Sequence, residues 1–265
     1  MTLMAAFWIL IPLFIGVLFI GLYRNLFAKL AVIFGASGRF IRLQDVNAGA
    51  LGQACADEVV FQRRILLRGR VPWTRHMLIS WGFSVLFVFD ILTALLTKYL
   101  PSEPFMPGHV GWLSLKFGLN LSGMVLLLGL LIALVRGVTT AGTEQARFND
   151  TPGTIFLLFV VVTGFIAEGM RFANGPAPPG YGWALLGHWM GEALRVGAPY
   201  AGSYSFVWMA HALLASAFLA YLGWSRMIHV FAAPLGRIFY SQRLLREAKV
   251  RTVMEGLLKP RVGSR

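Results

Sequence analysis

A chain of 265 residues that is 57% hydrophobic and only 13% charged has too few polar groups to cover itself in water. That balance excludes a soluble globular domain and makes the lipid bilayer the expected solvent. The net charge of +13 would suggest nucleic acid in a water-soluble protein, so its meaning depends on where along the chain it falls.

The first apolar run, residues 4–23, reads as a retained membrane span. It lacks a basic leader, is longer than the core of a cleavable signal, and meets Arg24 where a small-residue cleavage site would stand. Residues 24–75 follow as a long basic segment. Within it, Asp57 to Arg75 mixes Val, Phe, Ile and Leu with five arginines, the pattern of an interfacial helix. Four more apolar runs, 76–98, 110–135, 154–172 and 206–229, each reach the roughly 20 residues needed to cross a hydrocarbon core. Pro101, Pro104 and Pro107 break the chain after the second run, and the Gly/Pro-rich stretch 175–182 breaks it after the fourth. The tail, 236–265, again sets Leu and Val among basic residues. The expected fold is therefore all-α. Residues 1–235 form a five-span membrane bundle, and 236–265 form a basic tail.

Charge placement gives the bundle a direction. Lys and Arg number nine in 24–75, two in 136–153 and nine in 226–265, against four in the remaining connections and span ends. The positive-inside rule puts the basic side in the cytoplasm, the C-terminus with it, and the N-terminus outside. The excess then reads as a topology signal and a surface for anionic lipid headgroups or a partner protein, with no nucleic acid required.

Cys55 is the one cysteine, so an internal disulfide or a multi-cysteine cluster is excluded and any metal must rest mainly on histidine. Of the five histidines, His211 and His229 are 18 residues apart, five whole helical turns. If the helix is continuous, both imidazoles face one way, about 27 Å apart along the axis. His76 starts the second run from the basic side and is level with His229. Two neutral imidazoles from neighbouring helices at one depth are what a six-coordinate b-type haem needs. At the outer level the candidate partners of His211 are His188 in the apolar stretch 183–194 and His109 beside Pro107. His188 is the choice because its segment reads as a helix that can pack back over the span ends. Asp90, 14 residues beyond His76 in an apolar run, is placed to accept a proton from a quinol. Lys116 has the position of a snorkelling lysine, and Glu168 and Arg171 have the i, i+3 spacing of a helix-end ion pair.

Three stretches carry a resemblance: DEVVFQRRILLRGRVPWTRHMLISWGF at 57–83, TGFIAEGMR at 163–171 and AHALLASAFLAYLGWSRMIHVFAAPL at 210–235. The chain resembles the membrane cytochrome b subunits typified by the respiratory nitrate reductase gamma subunit. Within that group it leans toward the heterodisulfide-reductase-type and sulfite-reductase-associated membrane subunits. The resemblance implies five transmembrane helices in a bacterial or archaeal inner membrane, with one or two b haems between the second and fifth. It also implies a quinone or quinol site near the outer haem and a cytoplasmic iron–sulfur partner subunit. It assigns His76 and His229 to the inner haem, His211 to the outer one, and Lys116 to the quinone site. The nitrate-reductase pattern has a second histidine ten residues after the first on the second helix; here that residue is Leu86. A non-redox anchor or transporter is the alternative, in which the histidines would be interfacial polar groups or proton-relay members.

Overall fold

An apolar segment in lipid has to satisfy its own backbone hydrogen bonds, and a helix does so within one segment. All secondary structure in the computed structural model is accordingly helical among the residues it describes, which are 3–27, 48–139, 151–176, 179–197 and 200–225, with Ile228 and Gly236. The α-helices are α1 (Leu3–Leu22), α2 (Ala48–Cys55), α3 (Arg63–Leu66), α4 (Arg70–Ala94), α5 (Val110–Thr139), α6 (Thr151–Ala173), α7 (Leu185–Leu194) and α8 (Ala201–Leu222). Five segments among the described residues are long and apolar enough to cross a membrane: Ile9–Phe27, Arg70–Tyr99, Val110–Thr139, Thr151–Ala173 and Gly202–Leu222. The five-span architecture is that expected from the sequence. His229 and the basic tail after Gly236 lie outside the described residues.

Two boundaries differ from expectation. The second span begins at Arg70, so His76 sits in the second turn of α4 and does not open it. Pro72 looks like a break in the sequence, but in a first turn proline removes no helical hydrogen bond. The fifth span starts at Ala201, and its α-helix ends at Leu222 with Gly223 as cap.

The segment expected as one interfacial helix is a series of short pieces. After α2 a π-helical turn runs Ala56–Val60, and Gln62 then takes a left-handed backbone (φ 47°) before α3. Gly69, at φ 131°, makes the second break, which a side chain would resist. Tryptophans of α4 bind the exposed carbonyls at the first break. Trp73 Nε1 donates to Phe61 O at 2.7 Å and Trp81 Nε1 to Val60 O at 3.0 Å, while Gln62 Nε2 donates to Ser80 Oγ at 3.1 Å. The segment is thus laced to the second span.

In the bundle, α4 packs on α5, α5 on α6, α6 on α8 and α8 on α1, with α7 lying across α6 and α5. Its core is Leu126, Leu130, Leu157, Val161, Phe165, Phe218 and Leu222. Between α4 and α5 the approach is at backbone distance. A Cβ on Gly82 would stand 2.7 Å from Leu126 N, and one on Gly129 2.8 Å from Leu78 Cβ. Small residues at such crossings let lipid-embedded helices make the dispersion contacts that hold them together. The carboxyl ends of α1 and α8 meet through Trp224 Nε1 on Val17 O and Asn25 Nδ2 on Gly223 O, both at 3.0 Å.

Candidate functional site

The helices α4, α5, α6 and α8 enclose a cavity of about 270 Å³. Its walls are largely apolar, with Leu86 and Phe87 from α4, Leu119 from α5, Val160 and Phe165 from α6, and Ala215 and Leu219 from α8. Three ionisable side chains reach it: Asp90 from α4, Glu168 from α6 and His211 from α8. On its wall the second and fifth spans touch through Phe83 and Phe218, whose rings stand edge to face at 6.0 Å. Seven residues along α4 from Phe83 is Asp90, and seven residues back along α8 from Phe218 is His211. Equal steps from one contact put the two at one level, and they are near enough to act on each other electrostatically.

His211 is held from α6. Its Nδ1 lies 3.1 Å from Thr163 Oγ1, and Gly164 leaves its ring room, since a Cβ there would come within 3.0 Å of His211 Cε1. The structure thus brings His211 and Asp90 to one cavity. His188 is elsewhere, on α7, with its ring 4.5 Å from that of Tyr181 and 5.7 Å from that of Trp189. His188 Nδ1 is buried and has no hydrogen-bond partner among the described residues.

Lys116 does not snorkel. It is 9% exposed, and its Nζ donates to Glu168 Oε1 at 3.1 Å. Arg171 reaches the same oxygen at 3.5 Å, so the expected helix-end pair exists as part of a larger cluster. The residue that sequence reasoning missed is Asn120, 1% exposed and one turn beyond Lys116. Its Nδ2 donates to Glu168 Oε2 at 2.9 Å, and its Oδ1 accepts the Gly187 backbone N–H at 2.9 Å. That N–H is one of the groups a helix start leaves unpaired, so Asn120 caps α7 from a different helix. The Glu168 carboxylate at the same helix start gains from the dipole of α7. A polar pair at i, i+4 within an apolar run was the available sign of Asn120.

No family model matches the chain, and no solved structure matches it. Among curated proteins it is similar to the E subunit of the dihydromethanophenazine:CoB–CoM heterodisulfide reductase of Methanosarcina thermophila, 30% identical over 186 residues, and to that of Methanosarcina barkeri, 29% over 184. The match takes in 67% of this chain and 62% of the length of either relative. It is also similar to the EtfAB:quinone oxidoreductase of Syntrophomonas wolfei, 24% identical over 197 residues and 26% of that protein's length. The chain is thus distantly similar to heterodisulfide reductase E subunits and spans about three fifths of their length.

Proposed function

We propose that the chain is the haem b-carrying membrane subunit of a respiratory oxidoreductase, exchanging electrons between a lipid-soluble quinone-type carrier and a cytoplasmic iron–sulfur partner. The observation that carries this reading is the cavity bordered by the second and fifth spans, with His211 and Asp90 at one level on its wall. The relatives' names support it, one joining a dihydromethanophenazine to a disulfide and the other acting on a quinone. The basic segments 24–75 and 226–265, taken as cytoplasmic, supply the surface for the partner.

The residues lining the cavity supply one candidate haem ligand, His211. The cavity is apolar, offers an imidazole from the fifth span, and keeps that imidazole's ring free of steric pressure at Gly164. His211 would hold a haem at the outer level, and His76 with His229 one at the inner level. Haem supplies one-electron chemistry at an iron that imidazole ligands keep low-spin. The remaining groups handle protons and charge. Asp90 accepts the proton that a quinol releases on oxidation. Lys116, fixed by Glu168, places a positive charge beside the carrier site and stabilises an anionic form of the carrier.

The test is spectroscopic. Detergent-purified protein should show a reduced-minus-oxidised α-band of low-spin haem b; protein purified under haem-replete expression with no haem would end the proposal. Asp90→Asn should slow quinol turnover about 100-fold, the lower end of what a positioned proton acceptor supplies, with haem content unchanged. Turnover equal to the unsubstituted protein would return Asp90 to a structural role.

A further inference from the structure

The hydrogen bonds around Thr163 determine which nitrogen of His211 carries its proton. Thr163 Oγ1 lies 2.7 Å from the Phe159 carbonyl oxygen, 3.1 Å from that of Val160 and 3.1 Å from His211 Nδ1. A hydroxyl has one proton to give, and a carbonyl oxygen can only accept. At 2.7 Å the contact to Phe159 O is a short O–H···O bond, and two oxygens so close without a proton between them would repel. The threonine proton is therefore spent on its own helix. What Thr163 presents to His211 is a lone pair, so the hydrogen in that 3.1 Å bond belongs to the imidazole.

We propose that Thr163 is a positioning residue that holds His211 as its Nδ1–H tautomer and leaves Nε2 as the lone-pair nitrogen. The inference rests on the reading of His211 as a haem ligand and deepens it, since a ligating imidazole must offer an unprotonated nitrogen. Gly164, the next residue, leaves the ring the room to make that bond. One turn of α6 thus supplies both the acceptor that selects the tautomer and the space that the ring occupies. The same bond makes the imidazole a stronger electron donor, as an acceptor on the far nitrogen does for metal-bound histidines generally. With a haem bound there, the bond would favour the oxidised iron.

The experiment compares Thr163→Val, Thr163→Ser and His211→Ala in the full-length purified protein, reading haem content, haem release to a competing acceptor and midpoint potential. The haem assigned to His76 and His229 serves in each variant as the internal measure of folding. Valine keeps the branched shape and removes the acceptor; serine keeps the acceptor. Thr163→Val should bind the outer haem 10–100-fold more weakly, with a raised midpoint potential, and Thr163→Ser should match the parent. If Thr163→Val equals the parent in both readouts while His211→Ala loses the haem, the positioning role is overturned and the ligand assignment stands. Equal weakening by Ser and Val would reduce Thr163 to packing and overturn it too. A His211→Ala protein with its full haem content would instead overturn the ligand assignment, and the inference with it.

Discussion

Purified protein carrying His76→Ala should lack one low-spin haem b absorption of the parent chain, and His229→Ala should lack the same one. Bis-imidazole iron needs both nitrogens, so removing either leaves a single bond to hold a large planar group in a bundle that detergent can open. Each substitution should abolish the low-spin signal of that haem, and electron delivery to the cytoplasmic side with it. The band assigned to His211 should persist in both proteins. Variants that lose spectrally separable bands would mean that His76 and His229 do not share one iron. Variants that keep every band would remove both from the ligand set. His76 in the second turn of α4 is well placed for the comparison, because an alanine at a helical position leaves the backbone unaltered.

Glu168→Ala should destabilise the bundle by about 3–5 kcal/mol, the range for breaking a buried ion pair from one side. The substitution leaves the Lys116 ammonium in an apolar surround and removes an acceptor from Asn120, which is itself fully enclosed. It also takes the negative charge from the start of α7, where Asn120 and Gly187 depend on local order. Lys116→Met combined with Glu168→Gln removes both charges and keeps an acceptor for Asn120, so the double variant should lie nearer the parent than Glu168→Ala does. Unfolding in mixed micelles titrated with a denaturing detergent measures the difference. A Glu168→Ala protein within about 1 kcal/mol of the parent would show that the cluster contributes little to stability.

The sequence carried the five spans because hydropathy over 20 residues is set by the solvent and owes nothing to neighbours. It also placed Asp90 and His211 toward one end, since helical rise alone fixes depth. Partners across the bundle were another matter. Glu168 was assigned to Arg171 by spacing, while its nearest cation is Lys116, 52 residues away. Counting along a helix finds i, i+3 neighbours and is blind to the helix opposite. Asn120 and Thr163 escaped for a related reason. Each is an ordinary polar residue in an apolar run, and its role appears only when a second helix brings Glu168 or His211 within 3.1 Å. The interfacial stretch misled differently. Its composition is amphipathic, but Gln62 and Gly69 bend the backbone where Trp73 and Trp81 can take up the freed carbonyls.

The glycine contacts at positions 82 and 129 have a mechanical consequence. Backbone against backbone leaves no slack, so the second and third spans have no room to close further on each other. The other walls of the cavity belong to α6 and α8, and α8 meets α4 through side chains such as Phe218. Room for a bulky guest must therefore come from the side of α6 and α8. Because Trp224 and Asn25 tie the end of α8 to the first span, any displacement of α8 would carry α1 with it.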